Sequence, residues 1–380
     1  MLHKVAAAAV SLLAGAGLLT APAAARALAD GSTASAVSTT SSPTNRPTCG
    51  PEPTDAAGWQ GLFDGLTTGW SGGDGAASIR LPDGRLLWLF GDTFTGSVSA
   101  DGRRGSDARI VRNSMVVTDG SCAAVVTPGR AALPSSDGTW LWPTAGAVTS
   151  AEREGLPSVV TVVAQRLRRD AHDALGFART GTAVVRVTVP WGGMPVVGDV
   201  SDLPRSEVLW GAGLVVDGAT TWIYGTRAVD EPLVFGRELL LARAPTSSLG
   251  DVRTWRYRSA AGWSLNEGDA VVVRGARDGV STVPSAARVG ASYVIVTKPQ
   301  EFLGDAVVAL RAPHPWGPWT TVPLLRAPSG TTVMRYSPAL VAGLPGAGAV
   351  VVVSRTSTSM AELMADAELA RPTFSDVRLD

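Results

Sequence analysis

Short apolar runs alternate with glycine, proline, aspartate and serine from about residue 58 to the C-terminus. Regularly spaced short strands without long helices are typical of a β-sandwich, a barrel or a propeller. The pattern therefore predicts an all-β domain over residues 58–380. One stretch, residues 359–369, has the composition of a short helix, although it would also fit an edge strand.

A weak internal repeat divides this domain into five units. Each unit opens with small residues and continues with an apolar run, a turn and a second apolar run. The units open near Trp70, Trp140, Val208, Ser281 and Met334. Small residues suit these positions because the innermost strands of a propeller crowd around its axis. The repeat favours a five-bladed β-propeller, with a closing strand from residues 374–379 or from residues 59–63.

The clearest strand pair lies in the first unit. Asp83-Gly84 stands between two apolar runs, which is a strong hairpin signal. Folding this hairpin brings Asp74, before the first strand, to the same end as Asp92, after the second. A two-residue loop at Asp83-Gly84 would pair Gly75 with Asp92 and put Asp74 on the other face. A three-residue loop would give the two acids the same face.

Two neighbouring carboxylates are what cleavage of a glycosidic bond requires. Mutual repulsion would raise the pKa of one member, which leaves an acid and a base near neutral pH. A separation of about 5 Å would imply retention of configuration, and roughly 6.5–9.5 Å would imply inversion. The plainer interpretation is that Asp74 and Asp92 are turn residues that accept hydrogen bonds from nearby backbone amides.

Other side chains could hold a sugar near this pair. Guanidinium groups bind hydroxyl and carboxylate oxygens in pairs, and indole rings stack on sugar rings. The alternatives are a structural ion pair between Arg112 and Asp92 and simple packing for most of the twelve tryptophans. The candidate substrate contacts are Arg112, Asn113, Trp142, Trp210, Arg335 and Tyr336.

The N-terminus has the features of a secretory signal peptide. A short positive start precedes an apolar run over residues 5–19 and a small-residue cleavage pattern, so residues 1–29 are predicted to be removed. Residues 30–57 are rich in serine, threonine and proline, which predicts a flexible linker. Cys49 and Cys122 are the only cysteines. Export favours a disulfide between them over two free thiols.

The composition excludes several classes of function. Lysine plus arginine equals aspartate plus glutamate at 33 each, and no basic stripe indicates a nucleic acid or an anionic membrane. The spacing of the three histidines indicates no metal site. No phosphate-binding loop and no Ser-His-Asp arrangement stands out. We expect a secreted monomer that needs no cofactor or metal and does not stay inserted in a membrane.

The first unit also resembles a known group of proteins. The matching stretches are residues 70–75 (Trp-Ser-Gly-Gly-Asp-Gly), 81–85 (Leu-Pro-Asp-Gly-Arg), 88–94 (Trp-Leu-Phe-Gly-Asp-Thr-Phe) and 112–114 (Arg-Asn-Ser). They resemble exported bacterial five-bladed propellers that were long catalogued as domains of unknown function. These propellers are similar to glycoside hydrolases, and a related branch includes endo-D-arabinanases. The resemblance implies a carbohydrate site at the axial end where the inner strands begin.

One departure from the better-known five-bladed glycosidases stands out. The openings of the second, fourth and fifth units carry no carboxylate, so Glu207 or Glu267 would have to supply any further acid. We expect a secreted glycoside hydrolase that acts on a polysaccharide, arabinan being one candidate, with Asp74 and Asp92 as its acid/base pair. The alternatives are a propeller that binds a glycan without cleaving it and an interaction protein of the cell envelope.

Overall fold

The computed structural model describes residues 46–150, 157–172, 176–343 and 348–379, which are nearly all β. The predicted signal peptide and the linker up to residue 45 lie outside the described residues. The strands are β1 (Thr48–Cys49), β2 (Gly72–Gly73), β3 (Ala77–Arg80), β4 (Leu86–Phe90), β5 (Thr93–Thr95), β6 (Arg109–Val111), β7 (Ser114–Asp119), β8 (Cys122–Val125), β9 (Thr139–Ser150), β10 (Ser158–Arg169), β11 (Phe177–Val189), β12 (Val196–Asp202), β13 (Leu209–Asp217), β14 (Thr220–Arg227), β15 (Glu238–Pro245), β16 (Arg256–Ser259), β17 (Gly262–Ser264), β18 (Val272–Arg274), β19 (Ser285–Val289), β20 (Ser292–Thr297), β21 (Ala306–Ala312), β22 (Thr320–Arg326), β23 (Val333–Leu340), β24 (Gly348–Ser357) and β25 (Thr373–Arg378). The α-helices are α1 (Ala56–Asp64) and α2 (Met360–Ala365). Short 3-10 helices are formed by Thr246–Ser248, Val252–Thr254, Glu267–Asp269, Ala276–Asp278, Glu301–Leu303 and Ala367–Ala370. In the described part of the chain, no helix has the length and apolar character needed to cross a membrane.

The main sheets follow one another along the chain and form a ring. Strands β2, β5 and β6 form a small additional sheet. The first main sheet contains β1, β3, β4, β7 and β8. The next four contain β9–β12, β13–β18, β19–β22 and β23–β25. Their first strands, β3, β9, β13, β19 and β23, contact one another in that order, and β23 also contacts β3. Every neighbouring pair of main sheets, including the last and the first, shares a buried apolar cluster. This is the arrangement of a β-propeller.

The first strands approach one another too closely for large side chains. A Cβ atom on Gly146 of β9 would lie 2.4 Å from Cδ1 of Ile79 on β3. A Cβ atom on Gly213 of β13 would lie 3.0 Å from the carbonyl oxygen of Pro284, just before β19. Glycine at these positions therefore lets neighbouring sheets meet near the axis, which is the reason given above for small residues at the openings.

The last sheet and the first are joined by packing. Residues 59–63 are helical, so the prediction of a closing strand there is wrong, whereas residues 374–378 lie in β25, the outer strand of the last sheet. Helix α1 begins where the Asp55 side chain accepts a hydrogen bond from the Gly58 amide. On its buried face, the ring centre of Phe63 lies 5.0 Å from that of Trp88 in the first sheet and 5.5 Å from that of Phe374 in the last sheet. An amphipathic helix thus closes the ring.

The fold begins before the predicted boundary at residue 58. Strand β1 pairs with β8, with Cys49 opposite Cys122, and these two cysteines form a disulfide. The predicted disulfide is therefore confirmed. Residues 48–49 and 56–57 of the predicted linker lie in β1 and α1.

Residues 359–369 form α2 and the beginning of the 3-10 helix that follows it, so the edge-strand alternative is wrong. The Ser359 side chain accepts a hydrogen bond from the amide of Glu362, which satisfies one of the free amides of the first turn. In the sequence, helix α2 lies between β24 and β25. It contacts the small sheet, where its Leu363 packs in one apolar cluster with Phe94 of β5.

Reducing the disulfide should destabilise the whole domain. The bridge closes a loop with a sequence separation of 73 residues, and the chain-entropy model gives about 4 kcal/mol for a loop of this size. We expect a lower free energy of unfolding by up to that amount, measured by denaturant titration with and without reductant. The Cys49→Ala/Cys122→Ala double variant should show the same loss and no further response to reductant. A reductant effect that persists in this variant would contradict the prediction.

Candidate active site

The hairpin register places the two predicted acids opposite each other. In the β3–β4 pair Ala77 lies opposite Leu89, and in the β2–β5 pair Gly73 lies opposite Thr93. Counting along the strands from either pair puts Asp74 opposite Asp92, so the two strand pairs share one register. The Asp74 amide also donates to the carbonyl oxygen of Asp92 at 3.2 Å. The turn has three residues, 82–84, closed by a hydrogen bond from the Leu81 amide to the Arg85 carbonyl oxygen. Of the two loops considered, the structure therefore contains the three-residue one.

Both carboxylates line one cavity of about 640 Å³. Asp74 precedes β3, while Trp142 and Tyr336 lie near the beginnings of β9 and β23 and line the same cavity. The cavity is therefore at the end of the ring where the first strands begin. Its volume is within the range of pockets that enclose a small organic ligand.

Asp92 is held by two donors. Arg112 Nη1 donates to Asp92 Oδ2 at 3.1 Å, and Trp142 Nε1 donates to Asp92 Oδ1 at 3.0 Å. Burial raises the pKa of Asp92, whereas the positive charge of Arg112 and both hydrogen bonds act in the opposite direction. These partners favour the ionised form of Asp92.

Asp74 has a different environment. Burial, and secondly the negative charge of Asp92, raise the pKa of Asp74 to about 7. Tyr336 Oη donates to Asp74 Oδ2 at 2.6 Å and only partly offsets these effects. Among the described residues Asp74 has no cationic partner comparable to Arg112, so it is the member of the pair that retains a proton near neutral pH.

Gly91 makes room for the Asp74 carboxylate. A Cβ atom on Gly91 would lie 2.5 Å from Asp74 Oδ1, closer than real contacts allow. The Gly91 amide also donates to the carbonyl oxygen of Asp74 at 2.7 Å. The glycine beside Asp92 in the sequence therefore fits the close approach of the opposite carboxylate.

Aromatic rings form one side of the cavity. The Arg112 guanidinium lies over the Trp140 ring at 4.5 Å, and the Trp142 and Phe177 rings are 4.7 Å apart and nearly perpendicular. We call Trp140, Trp142 and Phe177 the aromatic side. Phe177 was not predicted, since nothing in its sequence context distinguishes it from a packing residue.

Three predicted contacts lie elsewhere. Asn113 is 1% exposed, and its amide nitrogen donates to the carbonyl oxygens of Leu133 and Leu141. Trp210 is 3% exposed and packs against Tyr257. The Arg335 guanidinium donates to the Pro328 carbonyl oxygen. None of these three lines the cavity, and their role as substrate contacts stays a prediction.

The other predicted contacts, Arg112, Trp142 and Tyr336, do line the cavity. Glu207 and Glu267 do not, so neither provides a third acid there. In the described segments, no three histidine, cysteine or acidic side chains come together as a metal ion would require.

The cavity also has an apolar wall, which the sequence interpretation missed. It consists of Phe94 on β5, Ile110 on β6, Met360 and Met364 on α2, and Ala370. Its helix was predicted over residues 359–369, with an edge strand as the alternative, and Ser359 followed three residues later by Glu362 is typical of a helix start. Nothing in the sequence indicates that this helix meets the β5–β6 hairpin.

These features define a β-propeller with two unlike carboxylates in a cavity at one end of its ring. The chain belongs to the family described as a domain of unknown function (DUF5005), whose model matches residues 58–378. The matched region runs from α1 to the last strand. None of the curated proteins matches the sequence.

The chain is also similar to solved structures. One is described as a "putative hydrolase from Bacteroides ovatus ATCC 8483", with 19% identity over 84% of this chain and 89% of that chain and a TM-score of 0.67. Bacillus subtilis arabinanase Arb43A has 9% identity, with 80% and 94% coverage and a TM-score of 0.40. A GH43_1 enzyme from Xanthomonas citri complexed with xylotriose has 12% identity, with 84% and 93% coverage and a TM-score of 0.44. The first likeness shows a shared fold, and the other two are too distant to add to it.

Removing the Tyr336 hydroxyl should raise the pKa of Asp74 further. The hydrogen bond from Tyr336 favours the ionised carboxylate, so its loss in Tyr336→Phe should raise the pKa by about one unit. The measurement is a carboxyl-carbon NMR titration of ¹³C-labelled protein. Tyr257→Phe, at a tyrosine outside the cavity, should leave the titration unchanged. An unchanged or lower pKa in Tyr336→Phe would contradict the role given to this hydrogen bond.

Proposed function

We propose that this protein is a glycoside hydrolase in which Asp74 is the general acid and Asp92 is the partner carboxylate. The observation that carries the proposal is the unequal environment of two carboxylates on one cavity. Burial raises the pKa of both carboxyl groups, but Arg112 and Trp142 offset part of this effect at Asp92, whereas the negative charge of Asp92 adds to it at Asp74. Glycosidic bond cleavage uses this division between a proton donor and an ionised carboxylate.

In the proposed reaction, Asp74 donates its proton to the glycosidic oxygen. The bond between that oxygen and the anomeric carbon breaks, and its electron pair leaves with the oxygen. In one route Asp92 attacks the anomeric carbon, and a water deprotonated by Asp74 then displaces Asp92 and releases the sugar. In the other route Asp92 removes a proton from the water that attacks the anomeric carbon directly. Arg112 and Trp142 orient Asp92, and Tyr336 orients Asp74.

The aromatic side supports a sugar ligand. Indole rings contact sugar rings over a large area with little loss of conformational entropy. Trp142 combines two functions in this proposal, because its ring faces the cavity while its Nε1 donates to Asp92. The open cavity also argues against an interaction protein whose axial end is closed by apolar side chains.

We further propose that the ring of five main sheets is a five-bladed propeller and that the mature protein is a secreted monomer. Support comes from the circular contacts of the first strands, the disulfide and the N-terminal signal pattern. The substrate class favoured by the family resemblance is a polysaccharide, arabinan included. The Bacteroides ovatus relative, described as a putative hydrolase, is consistent with hydrolytic chemistry on this fold.

One observation favours a second candidate, a propeller that binds a glycan without cleaving it. Arg112 and Trp142 occupy both oxygens of Asp92, which limits its ability to act as a nucleophile or base. The discriminating experiment is incubation of the purified mature protein with a panel of polysaccharides that includes arabinans, followed by product analysis. Released sugars support hydrolysis, and binding without release supports the second candidate.

Asp74→Asn and Asp92→Asn should each lower turnover on a panel substrate by about a thousandfold. Neither should lower thermal stability much. The raised pKa of Asp74 means that its protonation stabilises the folded state at low pH, and this contribution declines as the pH rises from about 4 to about 7. Asp74→Asn should therefore be at least as stable as the natural protein at pH 8 in thermal unfolding.

The matched control is Asp202→Asn, at an exposed aspartate that pairs with Arg166 outside the cavity. It should retain full turnover. If both site variants fail to fold, or both retain turnover, Asp74 and Asp92 have structural roles instead.

The pH profile should follow Asp74. Because the proton donor must be protonated, kcat/KM should fall as the pH rises above about 7. In Tyr336→Phe this alkaline limb should move to higher pH, in parallel with the NMR titration. Rates measured from pH 4 to pH 9 in buffers of constant ionic strength provide the check. A limb that stays in place in Tyr336→Phe would exclude Asp74 as the group that controls it.

A further inference from the structure

The apolar wall differs chemically from the rest of the cavity. Phe94 lies opposite Ile110 in the β5–β6 pair, and Ile110 is 37% exposed although it is a large apolar residue. Phe94 packs in one cluster with Leu363 and Ala370, and the partly buried Met360 and Met364 pack against this cluster. The side chains of the wall provide no hydrogen-bond donor and no strong acceptor.

The wall lies next to the reacting groups. Phe94 follows Asp92 by two residues, Ile110 precedes Arg112 by two, and all four residues line the cavity. The wall also adjoins the segment that carries Asp74. A Cβ atom on Gly72 would lie 2.6 Å from the Ala370 carbonyl oxygen, which shows how closely the two backbones pack. The aromatic side, in contrast, is linked to Asp92 through Trp142.

A buried arginine holds the wall together. Arg104 Nη2 donates to the Ser71 carbonyl oxygen at 2.7 Å and to the Ala367 carbonyl oxygen at 3.0 Å. Arg104 Nη1 donates to the Leu363 carbonyl oxygen, and the Arg104 amide donates to the Met364 carbonyl oxygen at 3.0 Å. These bonds attach α2 to the small sheet, so the two halves of the wall are positioned before any ligand binds.

Sugar hydroxyls placed against this wall would lose their hydrogen bonds to water and gain none, which is costly. We propose, on the basis of the glycoside hydrolase function above, that the wall binds an apolar aglycone. Glycosides with an aryl or alkyl group next to the cleaved bond would then be preferred over the polysaccharide that the family resemblance favours. The sugar ring lies on the aromatic side, near Asp92. The aglycone oxygen lies near Asp74, which protonates it as the bond to the anomeric carbon breaks and the alcohol leaves.

The test compares n-hexyl and methyl glycosides of arabinofuranose, xylose and galactose by calorimetric titration. The two glycosides of each sugar differ only in the length of the alkyl group, so the comparison isolates contact with the wall. For at least one sugar, the hexyl glycoside should bind about tenfold more tightly than the methyl glycoside. Met360→Gln and Met364→Gln should remove most of this preference, because each puts a polar amide where the hexyl group of the ligand would lie.

Two controls accompany these variants. Met194→Gln makes the same change outside the cavity and should keep the preference. Met360→Leu and Met364→Leu keep the wall apolar and should keep the preference too, which separates loss of contact from loss of folding. Equal binding of hexyl and methyl glycosides, no binding of any hexyl glycoside, or a preference that survives in both glutamine variants would overturn the proposal.

Failure of the proposed hydrolysis gives a different result. If the hexyl glycosides bind preferentially and the glutamine variants lose that preference, but no hexanol is released by the natural protein, the wall is an apolar subsite of a binding protein. Release of hexanol together with the preference supports both proposals.

Discussion

The site depends on one strand register. The three-residue turn at residues 82–84 sets which residues of the hairpin lie opposite each other, and the same register continues from β3–β4 into β2–β5. It places Asp74 opposite Asp92, and in an antiparallel pair opposite side chains share a face. One residue of slippage would turn the Asp74 side chain away from the cavity. The inequality of the two carboxylates, and the chemistry proposed from it, follows from this placement.

The ring holds that hairpin in position through aromatic packing. Helix α1 inserts Phe63 between Trp88 of the first sheet and Phe374 of the last. The neighbouring sheet also provides Tyr336 for Asp74 and Ser354, whose hydroxyl accepts a hydrogen bond from the Gly75 amide at 2.8 Å. Ring closure and organisation of the site are therefore coupled, because the last sheet supplies groups that the first hairpin lacks.

One element of the fold, helix α1, could have been predicted from the sequence but was not. Trp59, Leu62, Phe63 and Leu66 have the spacing of a helix face, yet the aromatic and apolar composition of residues 59–63 suggested a strand. Helix α2 was predicted, with an edge strand as the alternative, and the spacing of Ser359 and Glu362 is that of a helix start. Local patterns of this kind are informative, but a short segment fits two structures until its packing partners are known. One partner of α1, Phe374, lies more than 300 residues after Phe63 in the chain.

The sequence by itself determined the all-β pattern, the cysteine pair and the hairpin that joins Asp74 to Asp92, because each depends on residues close in the chain or on the only pair available. It did not separate Arg112 and Trp142 from Asn113 and Trp210. All four have similar local contexts, but the first two point into the cavity and the others are buried between sheets. Only the tertiary structure decided this, because which face of a strand is covered depends on the neighbouring sheet, and the apolar wall arises only where α2 meets the β5–β6 hairpin.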